Sequence, residues 1–213
     1  NKMSPSNIKS IEYFNERYYK IEREDGTFDY FPSVTTKLGI VDKPFLARWR
    51  GDIGNREADL RVRDSQEKGS NIHHGWYVIN TGGAIVYQPK YKPVMTQEDF
   101  QAVYDEFRGN IFTIQEQDEQ VDLWKLKTWT ERVNPVFRSS EMTVYSLFQK
   151  EAGTLDNLLY ISEGEYDVNG SKKLKLQTGL YIVDLKTGSA VDDSAFMQIS
   201  AYMAMLEEMI LVQ

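Results

Sequence analysis

Tyr181-Ile182-Val183-Asp184-Leu185-Lys186-Thr187-Gly188 sets a carboxylate and an ammonium two residues apart at the end of an apolar run. Successive side chains of a strand point to opposite faces, so Asp184 and Lys186 share one face. Upstream, Gly153-Thr154-Leu155-Asp156 leads into a second apolar run, Leu155 to Ile161. If the two runs pair antiparallel, Asp156 comes near Asp184 beside the same lysine. Two crowded carboxylates resist ionising together and call for a divalent cation, and magnesium takes one or two carboxylates, several waters and a substrate phosphate. A lone Asp-x-Lys is most often an exposed ion pair of small energetic weight. Here apolar residues surround the pair, and buried charge needs a partner or a metal.

Working outward, alternation over Glu141 to Ser146 adds a third strand after Asn134-Pro135. Asn169-Gly170, flanked by Tyr166, Val168, Leu174 and Leu176, predicts a long hairpin between the last two strands. A helix is predicted from Asp193 or Ser194 to about Glu208, with Phe196, Ile199, Tyr202, Met203 and Leu206 on its buried side. Beyond it, Met209-Ile210-Leu211-Val212-Gln213 reads as the start of another core strand.

Toward the N-terminus, two strands between Tyr18 and Val34 flank Asp25-Gly26, a hairpin signal. Helical spacing follows over Pro44 to Arg63 and again over Ile72 to Ile79. Thr81 to Pro93 reads as a loop with at most one strand, because Gly82-Gly83 and two prolines punctuate it. Thr96 starts a helix to about Phe107, and Gln117 to Arg132 forms another with Val121, Trp124, Leu126 and Trp129 as its apolar positions. The expected organisation is a single domain over 1–213. It comprises an N-terminal hairpin extension (1–40), a mainly helical part (42–132) and a sheet followed by a helix (136–213). The fold class is α/β of the mixed α+β kind.

The 213 residues, 41% hydrophobic and 13% aromatic, suffice to bury a core. No window reaches the roughly 18 uninterrupted apolar residues of a membrane span, and the first residues lack a signal-peptide pattern. A soluble, cytoplasmic protein without a membrane partner is expected. The absence of cysteine excludes thiol nucleophiles, disulfides and thiolate metal sites. No Gly-x-x-x-x-Gly-Lys-Ser/Thr loop exists, which removes a P-loop kinase or ATPase. The net charge of -7 argues mildly against tight duplex binding. Arg48, Arg50, Arg56, Arg61 and Arg63 alternate with Asp52, Glu57, Asp59 and Asp64, a mixture typical of a solvated helical face. Trp49, Trp76, Trp124 and Trp129 are expected in the core, with base stacking as the alternative.

Four ordered blocks then stand together: Gly69-Ser70-Asn71-Ile72-His73, Gly153-Thr154-Leu155-Asp156, Asp184-Leu185-Lys186 and Gln198-Ile199-Ser200-Ala201-Tyr202. Phe31-Pro32-Ser33-Val34-Thr35-Thr36, with Leu46 to Arg50 after it, is a fifth likeness. In this order the chain resembles the RecB-like branch of the PD-(D/E)xK nucleases, which includes phage exonucleases and the mitochondrial genome maintenance exonuclease. The resemblance spans most of the chain.

It implies a restriction-endonuclease-like core, a central mixed β-sheet flanked by helices, and a magnesium-dependent DNA exonuclease, with manganese as a substitute, acting at strand ends. By the same resemblance Asp156, Asp184 and Lys186 are catalytic. His73, Asp156, Asp184 and the Leu185 carbonyl would hold metal, and Gln198, Tyr202 and Glu141 would support the site or contact DNA. His74 follows immediately and rivals His73, and Gly75 weakens that helix by about 1 kcal/mol. A structure-specific endonuclease, a catalytically inert nucleic-acid-binding subunit and a metal-stabilised interaction domain are the alternatives; oligomeric state stays open.

Overall fold

The computed structural model describes residues 7–23, 25–40, 44–167, 173–188 and 191–212. An antiparallel meander of β1 (Ile8–Tyr13), β2 (Glu16–Glu22) and β3 (Phe28–Pro32) opens the chain. The expected Asp25-Gly26 turn joins β2 to β3: Asp25 Oδ1 accepts from Thr27 N at 2.9 Å, and Gly26 takes φ 78°. β1 escapes the sequence pattern because its apolar residues Ile8 and Ile11 stand three apart, outside a period of two. Ser33 caps the short α1 (Val34–Leu38) by accepting from Thr36 N and also forms an isolated parallel bridge to Ala152.

α2 (Pro44–Ile53) ends at Gly54, whose φ of 81° breaks the helix, and α3 (Asn55–Asn80) follows. The two separate helical stretches read from the pattern are therefore cut differently: one break at Gly54, then 26 uninterrupted residues through Gly69 and Gly75. Gly75 persists in mid-helix for a packing reason. A Cβ there would stand 2.6 Å from Leu123 Cδ2, so the glycine lets α3 lie close against the helix that carries Leu123.

β4 (Ala84–Tyr87) pairs in parallel with β5 (Ile111–Ile114), and α4 (Gln97–Glu106) connects them behind the Thr96/Asp99 capping box. α5 (Gln117–Val133) buries Glu119, Leu123 and Val133, while Val121 and Trp124 face solvent at 44% and 67% exposure. The predicted apolar face is thus rotated. Glu119 turns inward because Asn71 donates to its carboxylate at 2.8 Å, which satisfies the buried charge.

β6 (Val136–Ser146) and β7 (Glu151–Ile161) form a long antiparallel pair. β8 (Gly164–Asp167) and β9 (Lys173–Leu176) pair as a hairpin whose Asn169-Gly170 turn lies outside the described residues. β10 (Gly179–Val183) returns along the other edge of β7, giving the order β10-β7-β6. This sheet is wholly antiparallel, not mixed. Parallel pairing is confined, among the described residues, to β4-β5 and the Ser33 bridge.

α6 (Asp193–Val212) starts where expected and runs further, so the terminal apolar run is its last turn and not a strand. Its buried positions are Ala195, Tyr202, Met205, Leu206 and Met209, spaced by three, four and seven; Phe196 and Met203 are 65% and 50% exposed. The largest core unites Tyr19, Ile21 and Phe31 with Val144, Leu155, Tyr202 and Met205, so the N-terminal sheet shares its interior with β6, β7 and α6. A second core places Trp76 of α3 against Leu159 and Ile161 of β7. The whole is a mixed α/β architecture of several small sheets and six described helices. No described helix is long and apolar enough to cross a membrane.

Candidate metal and catalytic centre

β7 lies between two strands, and its register sets the site. Val183 pairs with Asn157, so Asp184, one residue past β10, comes level with Asp156. On the other side Ser140 pairs with Asn157 and Met142 with Leu155, which brackets Glu141 opposite Asp156. Three carboxylates therefore form a row across adjacent chain segments. Glu141 occupies it at φ 51°, the left-handed region that costs a non-glycine residue of order 1–3 kcal/mol and collects at functional sites. Ser140 Oγ donates to the Asp156 carbonyl at 3.0 Å and ties β6 to β7 beside that residue.

α3 brings the imidazole. His73 Nδ1 stands 3.5 Å from Asp156 Oδ2, and Nε2 lies 3.3 Å from the Leu185 carbonyl. Its neighbour His74 points elsewhere, edge-on to Phe112 at 4.6 Å between ring centroids, because consecutive helix residues diverge around the axis. His73, Glu141 and Asp156 each offer an atom within 4.8 Å of the others, a set able to hold a metal ion. The Leu185 N–H donates to Asp156 Oδ2 at 2.9 Å.

Asp184 is paired with Lys186 at 2.6 Å, and its side chain is only 5% exposed. Lys186 also donates to Gln198 Oε1 at 3.2 Å, and Gln198 Nε2 donates to the Tyr202 hydroxyl at 2.9 Å. Gln198 and Tyr202 reach one another because residues four apart share a helix face. Tyr202 packs against Gly153, where a Cβ would meet the ring's Cε1 at 2.3 Å. Every site residue read from sequence thus converges here.

Sequence reasoning missed the Tyr19 hydroxyl, which hydrogen-bonds Thr154 Oγ1 at 2.7 Å within the same block as Asp156. The partners are 135 positions apart, and no local pattern links them. Burial pushes the Asp156 carboxyl up to about 6; the nearby His73 opposes this, and the charges of Asp184 and Glu141 add to it. Burial likewise pushes the Tyr202 phenol up to about 12, keeping it a neutral hydrogen-bonding group. A buried carboxyl crowded by two others and faced by one imidazole is short of positive charge. The donor set, carboxylate oxygens with an imidazole nitrogen and a backbone carbonyl close by, suits a divalent cation of the magnesium or manganese kind.

Comparison with protein-family models, with curated proteins and with solved structures finds no match for this chain.

Proposed function

We propose that the protein is a metal-dependent nuclease of the PD-(D/E)xK, RecB-like kind, hydrolysing phosphodiester bonds of DNA, with exonuclease action at strand ends as the preferred form. The support is the carboxylate row Glu141, Asp156 and Asp184 meeting His73 on one side and Lys186 on the other. The four motif blocks carry the resemblance to that family, and each contributes to this cluster: His73, Asp156, Asp184 with Leu185 and Lys186, and Gln198 with Tyr202. A restriction-endonuclease-like core is part of the proposal.

His73, Glu141 and Asp156, with Asp184 and the Leu185 carbonyl adjacent, are the residues that would hold magnesium or manganese. When bound, such an ion lowers the pKa of a water and offsets charge on phosphate oxygens. The chain's own residues then divide the work. Lys186 holds a fixed positive charge beside the site, and a preorganised cation stabilises the charge that builds on a phosphate during attack. Gln198 Oε1 accepts a hydrogen bond from the Lys186 ammonium and fixes its direction. Tyr202, seated on Gly153, in turn orients the Gln198 amide. In the metal-free chain the raised Asp156 carboxyl is half-ionised at about 6, so cation binding there competes with a proton.

The test is cleavage of end-labelled linear and closed circular DNA, single and double stranded, with magnesium or manganese, and with Asp184→Ala as control. Metal-dependent loss of linear DNA alone, abolished by the substitution, is expected. Circle cutting would make it an endonuclease, and no cleavage of any substrate would leave a binding module and defeat the proposal.

A further inference from the structure

α6 is apolar on nearly every side. The core takes Tyr202, Met205, Leu206 and Met209, and a surface helix ordinarily turns polar residues the other way. Here the opposite side carries two rows at seven-residue spacing, Phe196, Met203 and Ile210 in one and Met197, Ala204 and Leu211 in the other. All six are exposed, five of them by half or more. Between Phe196 and Leu211 only Ser200 and Glu207 interrupt that face. At its margin Glu208 accepts from Leu147 N and Phe148 N at 2.9 and 3.4 Å, which holds the turn bearing the 90% exposed Phe148 against this part of α6. A contiguous apolar surface of this kind marks an interaction site, whereas apolar residues scattered singly do not.

The residues of the face select its occupant. The charged groups of α6 are Asp193, Glu207 and Glu208, all acidic, whereas anionic lipid surfaces and nucleic acids draw lysine and arginine. A seven-residue apolar repeat is the seam along which one helix packs on another. Each row also reads the same in both directions: Phe196 and Ile210 flank Met203, and Met197 and Leu211 flank Ala204. Two copies set antiparallel about a two-fold axis then bring Met203 to Met203, Ala204 to Ala204, Phe196 to Ile210 and Met197 to Leu211, the self-complementary contact that a two-fold interface demands. Ser200 falls beside Glu207 of the second copy, a hydroxyl against a carboxylate, and the two Glu207 side chains stand about 10 Å apart along the helices. A parallel pair would set Glu207 against Glu207, and like charges placed together are costly. The exposed side chains of the two rows offer roughly 600 Å² per copy before Phe148 is added, most of the about 800 Å² per partner that a stable interface buries.

We infer that the outer face of α6 is a homodimer interface in which two copies of the chain pair antiparallel about Met203 and Ala204. The inference stands apart from the nuclease reading, and its test needs no cleavage. Sedimentation equilibrium of the full chain at micromolar concentration should give twice its mass of 24.7 kDa. Met203→Glu sets two carboxylates together at the two-fold axis and should weaken association at least about 100-fold. Ser200→Lys places an ammonium beside Glu207 of the second copy and should tighten association about fivefold, a gain lost in high salt. Both positions are exposed in the single chain, so far-ultraviolet circular dichroism should not change. Trp124→Glu, on the exposed side of α5, should leave association as it is.

A wild-type chain that stays monomeric overturns the inference, and so does a dimer that Met203→Glu leaves intact. Weaker association in Ser200→Lys overturns the antiparallel pairing, because only a parallel pair sets Lys against Lys. A monomer that floats with phosphatidylcholine vesicles, and that Met203→Glu releases, would give the face to a lipid surface and overturn it too. A dimer that responds as stated and cleaves no DNA keeps this inference and sinks the nuclease reading alone.

Discussion

α3 passes two charged clusters within about one and a half turns, and they are built on opposite principles. At Lys68 one ammonium lies between Asp118 and Asp122, 2.7 and 2.9 Å away. Their hydrogen bonds raise the Lys68 pKa. Lys68 in turn lowers Asp118, and at Asp122 the bonds from Lys68 and Lys125 outweigh burial and lower it as well. Each group there favours its charged form. At His73 the carboxylates outnumber the cations, burial is deeper, and Asp156 is driven up to about 6. Balanced, part-exposed charge is a surface fastening; unbalanced, buried charge is a stored demand for a cation, and such perturbed groups concentrate at functional sites.

The contrast breaks most visibly in activity. Alanine at Asp156, Asp184 or Lys186 should lower phosphodiester cleavage by at least about 10²–10³-fold, the usual cost of removing one preorganised electrostatic group. Lys68→Met should leave the rate unchanged. Equal losses in both clusters would erase the distinction.

Stability against pH should separate the clusters next. The folded pKa of Asp156 lies above its unfolded value of 3.8, so the fold binds the extra proton between the two. Its favourable contribution is complete below about 4 and is lost as pH rises through about 6. Asp156→Asn should therefore stabilise the metal-free chain at pH 8 by up to about 3 kcal/mol and by nothing near pH 3, read by urea unfolding in EDTA. Magnesium should cancel the advantage at pH 8. Asp118 and Asp122, with lowered values, work with the other sign: their contribution is present above the unfolded value and disappears as pH falls through the folded one.

Two glycines sharpen the comparison at a smaller scale. Gly153→Ala drives a methyl into the Tyr202 ring and Gly75→Ala drives one into Leu123, each an overpacking cost of about 1–3 kcal/mol. Only the first should also slow cleavage, because Tyr202 holds Gln198 and Gln198 holds Lys186. Thermal unfolding and initial rates on the same samples decide this. The smallest effect is that of Lys68→Met on stability, at most about 1 kcal/mol, since all three partners reach solvent.

Much of the candidate centre was legible because its parts obey local periods. Gln198 and Tyr202 share a helix face, as the 3.6-residue repeat requires. Asp184 and Lys186 do meet, at 2.6 Å, but in the segment just past β10 and not on the strand face that a period of two predicts. The helix starts at Gln97 and Asp193 and the Asp25-Gly26 hairpin were readable for the same reason. Where the pattern misled, a long-range contact had intervened. Trp124 and Val121 look like core but face solvent, because Asn71 draws Glu119 inward and sets the rotation of α5. Gly75 looks like a helix breaker but is the room that Leu123 occupies.

The sequence by itself determined which groups could do hard-oxygen chemistry, excluded thiol and P-loop chemistry, and ordered the motif blocks along the chain. Only the tertiary structure decided that Glu141 faces Asp156 in the left-handed region, that His73 and not His74 turns to the carboxylates, that Lys186 engages Asp184, and that Tyr19 reaches Thr154. Local pattern records the repeat of the backbone and the side each residue takes. Which segments then meet depends on strand register and helix packing, collective quantities set by burial across the whole core, and no short window of sequence contains them.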